Sequence, residues 1–488
     1  MRGLVHQSFI LGLVLSLLLS LCHGLTYHIP LKRSVNHDRH ESHRDRVTRD
    51  VNTNEKLFGH SGNGYYMTML IGTPPQKINV LIDTGSSNLA IAAVPDINID
   101  KHFVRINSST YEEDGREVQV PYTQGEWKGL LGTDDVQLTV LPNITVRPNI
   151  AFITQSQNFF INGSEWQGIV GMAYESIARP DSSIVPFFNS LVKDGGVRDI
   201  FAVQLCGTPY LAEDDKMGGS MTIGGLSSDL YNSEIYYTPL QKLWYYEVLI
   251  TDIAVDSNSL GLDCKEYNFD RTIVDTGTTN MRFPKRVYKS ILNHIQHKIM
   301  ERPFSPSFWS GDEVMCWEDA MLPFQVFPTI SLSMYHSENS LFKLHIPSEK
   351  YLRMVIDPFE TGKCFKFGIA SSEAGTVLGA ILMEGYYVVF DRENKRVGFA
   401  TSPCNAVYNN HSKPAIEGYI NSTENLKDCY YIKPASDQSS MLIVAYVMAA
   451  ICCICVLPLI IMIIQWQYRR SCGNHSNDEE DDGNLIER

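Results

Sequence analysis

The sequence predicts a mostly-β protein that has two lobes and a single membrane helix near its C-terminus. Between residues 64 and 403, short runs of strand-forming residues alternate with turns, and the clearest helical stretches are 184–193 and 284–300. A body of about 340 residues exceeds one comfortable hydrophobic core, which favours two lobes. One string also occurs twice, as VLIDTGSSN at 80–88 and as TIVDTGTTN at 272–280.

The repeat divides the body into two related halves. In each half an apolar pair ending in glycine follows the Asp-Thr-Gly string, as GIVG at 168–171 and as TVLG at 376–379. The change from one half to the other is expected near Tyr236. We therefore predict an N-terminal lobe at 50–235 and a C-terminal lobe at 236–405.

The N-terminal residues predict a secretory signal followed by a pro-segment. Residues 1–24 contain an early arginine, an apolar run and small residues near Gly24, which is typical of a cleaved signal peptide. Residues 25–49 are polar and basic and end in RVTR, so we predict a pro-segment that a proprotein convertase removes after Arg49. The alternative is a disordered basic linker.

The C-terminal region predicts one membrane span. Residues 441–464 contain no charged residue, and such a stretch is long enough to cross a bilayer as a helix. Arg469 and Arg470 follow the span, and positive charge favours the cytosolic side. We therefore predict a single-pass type I protein with a luminal stalk at 406–440 and a cytosolic tail at 465–488. A buried core helix is the less favoured alternative.

Cysteines and glycosylation sequons agree with an exported body. Six cysteines lie between the signal and the span, which predicts three disulfides among 15 possible pairings. Sequons predict sugars on five exported asparagines: Asn107, Asn143, Asn162, Asn410 and Asn421.

Composition also argues against several partners. A net charge of −14 argues against nucleic acid. The exported cysteines do not form a C-x-x-C pair with a downstream histidine pair, so we predict no zinc site. We predict no other metal or cofactor.

The repeated string suggests one active site shared by Asp83 and Asp275. Two carboxylates at hydrogen-bonding distance cannot both ionise, so the pair holds one proton over an acidic range. The ionised oxygen can deprotonate a water while the protonated one polarises an amide carbonyl, and such hydrolysis needs no metal. An ordinary turn role for each aspartate is the alternative. Four neighbours can allow close approach or donate hydrogen bonds to the pair: Gly85, Ser86, Gly277 and Thr278.

With these strings and IGTPPQ at 71–76, the body at about 60–405 resembles the pepsin family of aspartic proteases. The resemblance implies a bilobal pepsin-like fold whose cleft holds an extended peptide beneath a hairpin flap. It implies that the flap contains Tyr122, Thr123 and Gln124. It also implies that Trp127 lies within hydrogen-bonding distance of the Tyr122 hydroxyl.

Further strings resemble the membrane-anchored β-secretase branch of that family, whose members cleave the amyloid precursor: FFINGS at 159–164, DCKEY at 263–267, MEG at 383–385 and AYVMAAIC at 445–452. The resemblance implies the disulfides Cys206–Cys404, Cys264–Cys429 and Cys316–Cys364. The chain departs from the branch at Thr276, where β-secretases often carry serine. Residues 94–101 and 208–217 match the branch poorly.

Arg282 is a candidate specificity residue in the string NMRFP at 280–284. A guanidinium at the cleft edge favours an acidic or amide side chain in the substrate. The alternative is a surface arginine that pairs within the protein. The branch resemblance favours the specificity role.

The tail string DDGNLI at 481–486 resembles an acidic-dileucine signal recognised by clathrin adaptors. Its key residues are Asp481, Leu485 and Ile486. Such a signal implies cycling among the Golgi, the cell surface and endosomes. Cys455 and Cys472, near the inner leaflet, are candidates for palmitoylation.

The leading hypothesis is a membrane-tethered aspartic endopeptidase that cuts peptide segments of type I membrane proteins and sheds their ectodomains. One alternative is a general endosomal acid protease. Another is an inactive receptor that binds peptides without cutting them. The receptor hypothesis is disfavoured because Asp83, Asp275, Tyr122 and both turn glycines are present.

Overall fold

The computed structural model describes residues 27–33, 64–122, 125–162, 165–207, 217–299, 304–317, 323–355, 363–404, 414–433 and 438–473. The chain divides into two compact units. The N-terminal unit comprises residues 1–431, and the C-terminal unit comprises residues 432–488.

The largest sheet of the N-terminal unit contains strands from both halves of the sequence. Its strands lie side by side in this order: Tyr236–Pro239, Arg396–Thr401, Tyr386–Asp391, Ile200–Leu205, Met217–Ile223, Tyr27–Arg33, Tyr65–Ile71, Gln76–Asp83, Gly168–Gly171, Leu89–Ala92, Asn149–Gln157, Glu126–Thr133 and Glu112–Pro121. Two further strands branch from this order: Val136–Leu138 pairs with Tyr65–Ile71, and Thr145–Val146 pairs with Val136–Leu138. The two halves therefore share backbone hydrogen bonds across one sheet.

Three smaller sheets lie mainly in the second half of the sequence. The five-stranded sheet has the order Asn258–Ser259, Ile250–Val255, Ile330–Ser337, Ser340–Ile346 and Ala415–Asn421. The four-stranded sheet has the order Thr272–Val274, Thr376–Leu378, Met281–Pro284 and Ile369–Ser372. The three-stranded sheet has the order Met315–Trp317, Lys363–Phe367 and Leu352–Val355. The mostly-β prediction is confirmed.

Helices are short in the described part of the N-terminal unit. The α-helices are Phe187–Lys193, Cys264–Tyr267, Lys285–Lys298, Pro306–Trp309, Ser348–Tyr351 and Ala380–Met383. The 3-10 helices are Arg105–Asn107, Glu175–Ile177, Ser228–Leu230, Pro323–Gln325 and Leu426–Cys429. The longest helix, Lys285–Lys298, buries Val287, Ile291 and Ile295 at i, i+4 spacing. That apolar stripe faces the strands Met281–Pro284 and Ile369–Ser372.

Parallel strand pairing positions both Asp-Thr-Gly turns. The strand Gly168–Gly171 pairs in parallel with the end of Gln76–Asp83. In the second half Thr376–Leu378 pairs in parallel with Thr272–Val274. The two apolar-pair-glycine strings therefore lie directly beside the turns.

Part of the predicted stalk at 406–440 lies within the folded N-terminal unit. The strand Ala415–Asn421 pairs with Ser340–Ile346 at the edge of the five-stranded sheet, and the helix Leu426–Cys429 packs into the same unit. Exposed and half-buried residues alternate along this strand, as expected for an edge with one solvated face. None of its seven residues is fully buried, so the strand owes its place to the partner strand rather than to the core.

A strand also lies within the predicted pro-segment at 25–49. Tyr27–Arg33 pairs antiparallel with Met217–Ile223 and, through its last two residues, with Tyr65–Ile71. Ile29 is buried between them. The polar composition does not predict a strand, but partners on both sides supply its backbone hydrogen bonds.

Three disulfides cross-link the N-terminal unit: Cys206–Cys404, Cys264–Cys429 and Cys316–Cys364. They are the pairs that the β-secretase resemblance implies. Cys264–Cys429 fastens the segment at 414–431 to the helix Cys264–Tyr267. That segment is thus covalently part of the folded body.

The C-terminal unit contains one long helix, Gln438–Gly473, with Pro458 inside it. Its stretch Ile443–Arg470 is 28 residues long, and its most apolar 18-residue window has a mean hydropathy of 3.1. This is long and apolar enough to cross a membrane, and it overlaps most of the predicted span at 441–464. The helix fits a single-pass membrane anchor.

Candidate active site

The first aspartate turn begins where the strand Gln76–Asp83 ends. Asp83 is buried, with 4% of its surface exposed. Its Oδ1 accepts a hydrogen bond from the Gly85 backbone N–H at 2.8 Å, and its Oδ2 accepts one from the Ser86 hydroxyl at 2.5 Å. The Met172 backbone N–H donates to the Asp83 carbonyl at 2.7 Å. The carboxylate is therefore held in one orientation.

The second turn repeats this arrangement after the strand Thr272–Val274. Asp275 is 7% exposed. Its Oδ1 accepts a hydrogen bond from the Gly277 backbone N–H at 2.8 Å, and its Oδ2 accepts one from the Thr278 hydroxyl at 2.7 Å. The Asp275 backbone N–H donates to the Leu378 carbonyl at 3.0 Å.

The two turns are locked together by their threonines. The Thr84 backbone N–H donates to Thr276 Oγ1 and the Thr276 backbone N–H donates to Thr84 Oγ1, both at 3.0 Å. Each hydroxyl then donates across to the other half, Thr84 to the Val274 carbonyl at 2.9 Å and Thr276 to the Ile82 carbonyl at 2.8 Å. All four bonds are buried, so the separation of the two aspartates is fixed by the backbone.

The two turn glycines are required by the close approach of the carboxylates. A Cβ atom on Gly85 would lie 2.6 Å from Cγ of Asp275, and one on Gly277 would lie 2.3 Å from Oδ1 of Asp83. Such contacts are far shorter than van der Waals separation. Each glycine therefore makes room for the carboxylate of the opposite half.

The electrostatics of the pair favour retention of one proton. Burial, followed by the neighbouring Asp275 carboxylate, raises the pKa of Asp83 well above its ordinary value. Hydrogen bonds from Ser86 and Gly85 oppose this by favouring the ionised form, but their effect is smaller. The pair can thus present one acid and one base at the same place.

A hairpin lies over the pair. Its strands Glu112–Pro121 and Glu126–Thr133 pair antiparallel, and Tyr122 follows the first of them. The buried Trp127 donates from Nε1 to the Tyr122 hydroxyl at 3.3 Å. Burial and the nearby Asp83 carboxylate both raise the pKa of Tyr122. Thr123 and Gln124, the other flap predictions, lie outside the described residues.

The pair opens into a cleft of about 550 Å³. On one side the cleft has an apolar and aromatic wall formed by Leu81, Tyr122, Phe159, Ile161, Trp166 and Ile169. Tyr122 and Phe159 stack with ring centroids 5.5 Å apart. Such a wall suits the apolar side chains of an extended peptide.

The opposite wall is more polar and carries two guanidinium groups. Arg282, on the strand Met281–Pro284, is half-buried and donates from Nη2 to the Ser371 carbonyl at 3.3 Å. Burial lowers its pKa. Arg271 and Tyr245 also line this wall, and neither belongs to a motif that predicts a site residue. Arg271 precedes the repeated string by one position, which is the signal that could have identified it.

Other predicted sites are partly described. Asn107, Asn143, Asn162 and Asn421 are exposed, as glycosylation requires. Several predicted positions lie outside the described residues: Arg49, Asn410, Asp481, Leu485 and Ile486. Within the described ranges, no group of three or more His, Cys, Asp or Glu side chains is placed to hold a metal ion.

Comparisons with known proteins extend over the whole body. Residues 64–402 match the family described as eukaryotic aspartyl protease. A β-secretase of Strongylocentrotus purpuratus is 45% identical over 480 residues, which cover 91% of this chain and 88% of that protein. Pepsin A of Canis lupus familiaris is 28% identical over 343 residues, which cover 69% of this chain and 80% of that protein. Pepsin A of Gallus gallus is 27% identical over 357 residues, which cover 71% and 86%.

Proposed function

Because this chain belongs to the eukaryotic aspartyl proteases and is an aspartic endopeptidase of the β-secretase type, we propose that it sheds the ectodomains of type I proteins anchored in the same membrane. The observation that carries the proposal is a complete aspartate pair in a chain that also has one apolar helix long enough to be a membrane anchor. Tethering raises the effective concentration of co-anchored substrates, so selectivity need not come from the cleft alone.

We assign the hydrolysis to Asp83 and Asp275. A water between them loses a proton to the ionised carboxylate oxygen, and the water oxygen bonds to the carbonyl carbon of the peptide. The protonated carboxyl donates a hydrogen bond to the carbonyl oxygen. The C–N bond then breaks as the amine nitrogen takes up the proton that the water released. Tyr122 lies over this step and excludes bulk water.

The experiment that tests shedding compares the ectodomains released by cells expressing the wild-type chain with those released by cells expressing Asp275→Asn. We expect a defined set of type I ectodomains to disappear from the medium in the variant. Equal release by both chains would refute shedding. Broad degradation of soluble proteins by the wild type alone would favour a general endosomal acid protease. Peptide binding without any cleavage would favour the inactive receptor.

We propose that Arg282 favours an acidic or amide side chain in the substrate. It lines the cleft beside the second turn, where its guanidinium is half-buried. Arg282→Ala should lower the ratio of cleavage rates on acidic and apolar versions of one peptide. An unchanged ratio would remove this role.

Processing and trafficking proposals follow from sequence and resemblance. Removal of the pro-segment by a proprotein convertase would leave Asp50 at the N-terminus, which N-terminal sequencing tests.

Clathrin adaptors would bind the tail through Asp481, Leu485 and Ile486, and Leu485→Ala should retain the protein at the cell surface. Luminal placement of the body would leave sugars at the exposed sequons, which enzymatic deglycosylation detects.

A further inference from the structure

A buried carboxylate lies behind the polar wall of the cleft, outside the catalytic pair. Glu247 is 4% exposed. Its backbone forms an antiparallel β-bridge with Ile273, which lines the cleft two residues before Asp275. The Gln241 backbone N–H also donates to the Glu247 carbonyl at 2.9 Å. Glu247 is therefore fixed relative to the second aspartate turn.

The Glu247 side chain accepts a hydrogen bond from one aromatic residue. The Trp244 Nε1–H donates to Glu247 Oε2 at 2.5 Å. The Trp244 carbonyl accepts from the Tyr174 backbone N–H at 3.1 Å, so this tryptophan is tied to both halves of the sequence. A buried carboxylate that accepts an indole N–H fixes the plane of the ring.

The fixed tryptophan in turn contacts a cleft-lining arginine. The Arg271 guanidinium lies 5.7 Å from the Trp244 ring centroid and 5.1 Å from the Tyr245 ring centroid. Lys242 places its ammonium 3.8 Å from the Trp244 ring centroid. Arg271 also pairs with Asp270 at 3.2 Å. The aromatic rings thus confine the guanidinium that a substrate would meet.

Several charges act on Glu247 in this arrangement. Burial raises its pKa, while the Trp244 hydrogen bond and the charges of Lys242 and Arg271 oppose the shift. Asp270 adds a smaller raising effect. The Glu247 charge also contributes to a raised pKa at Tyr430. The carboxylate therefore lies among the groups that set the local charge of this wall.

We propose that Glu247 is a positioning residue for substrate selection: by anchoring Trp244 it orients Arg271 toward an acidic side chain of the bound peptide. The inference rests on the proposed hydrolytic role of the cleft but concerns only which peptides are preferred. Its chemical requirement is the acceptor oxygen of Glu247 rather than its negative charge. Glutamine keeps an acceptor oxygen, whereas leucine does not.

The test uses the full-length protein in detergent and short fluorogenic peptides that carry glutamate or glutamine at each position in turn. The position facing Arg271 is the one at which the advantage of glutamate disappears in Arg271→Gln. At that position we expect Glu247→Leu to lower the glutamate-to-glutamine ratio of kcat/KM about fivefold, within the range of one hydrogen bond. Glu247→Gln should keep the ratio or raise it, because it removes a charge that competes for Arg271.

Trp244→Phe provides a second variant that does not depend on the folding of Glu247→Leu. It keeps a ring beside Arg271 but removes the Nε1 donor, so it should lower the ratio as Glu247→Leu does. Glu393→Gln is the matched charge control, since Glu393 pairs with Arg198 on the surface and does not line the cleft. Glu393→Gln should cleave every peptide at the wild-type rate.

Equal ratios in Glu247→Leu and Glu247→Gln would overturn the proposal, since the charge alone would then matter. A uniform loss on all peptides would also overturn it, because it would indicate a purely structural role. Either result leaves the hydrolytic proposal intact if Asp275→Asn is inactive on the same peptides. Cleavage that persists in Asp275→Asn would instead refute the assigned mechanism.

Discussion

The turn at Asp83 and the turn at Asp275 share one set of hydrogen bonds but have different surroundings. Each carboxylate accepts one backbone N–H from the glycine two residues on and one hydroxyl from the residue after it. The first turn faces the flap tyrosine and an aromatic wall. The second faces the polar wall with Arg271 and Arg282. The same hydrogen bonds hold both carboxylates, whereas the residues around the two turns differ in charge and in aromatic content.

The largest expected effect comes from preventing the close approach of the two aspartate turns. Gly277→Ala would place a Cβ 2.3 Å from Oδ1 of Asp83 and must displace that carboxylate. We expect kcat to fall at least about 100-fold, as for misplaced catalytic groups. Peptide-cleavage assays measure it. Gly418→Ala is the control, because the nearest atom to its Cβ would be the Tyr236 hydroxyl oxygen at 3.2 Å and Gly418 does not line the cleft. A Gly277→Ala enzyme with wild-type kcat would contradict the close approach.

The next largest effect is on stability and tests the hydrogen bonds between the threonines of the two turns. Thr276→Val removes the Oγ1 that accepts from the Thr84 backbone N–H and donates to the Ile82 carbonyl. Leaving these buried groups unpaired should lower the free energy of unfolding by about 2 kcal/mol. Urea denaturation measures the loss. Thr154→Val is the control, since that hydroxyl makes one 3.5 Å contact. Equal losses in both variants would argue against a special stabilising role for the hydrogen bonds of Thr84 and Thr276.

A smaller effect probes what differs between the turns. Tyr122→Phe removes the hydroxyl that accepts from Trp127 Nε1 above the first turn. We expect kcat/KM to fall about tenfold, because one hydrogen bond that positions the flap is lost. Steady-state kinetics measures the change. Tyr231→Phe is matched in chemistry but stacks on Tyr387 outside the cleft, so it should behave as wild type.

The smallest effect is a pH-dependent stability difference at Asp83. Its pKa is raised in the folded state, so the native protein holds this proton more tightly than the unfolded chain does. The stability contributed is present below the unfolded pKa and is lost as the pH rises through the folded pKa. The asparagine side chain of Asp83→Asn does not ionise, so the variant does not lose this stability as the pH rises. Its gain in Tm over wild type should therefore be larger at neutral pH than at about pH 4. A larger gain in acid would reverse the sign we assign.

The aspartate pair could be predicted from sequence because its signals are local and repeated. The Asp-Thr-Gly strings fix a strand end, a turn and a hydroxyl donor within a few residues. The glycine requirement follows from the same strings. Prediction fails where partners are distant in sequence: the strand Ala415–Asn421 gains its place from Ser340–Ile346. Glu247 has no motif, and only the fold places its side chain behind Arg271.

Covalent connectivity determines what a single proteolytic nick can release. Residues 405–413 connect Cys404, which follows the strand Arg396–Thr401, to the folded segment at 414–431. A cut within residues 405–413 would break the backbone, yet the disulfide Cys264–Cys429 would still join the upstream body covalently to the chain that continues into the apolar helix. The catalytic body would therefore separate from the apolar helix only if that bond were reduced or if the cut fell between Cys429 and Gln438. Release of the catalytic body from the helix by one cut would depend on protease access to those few residues.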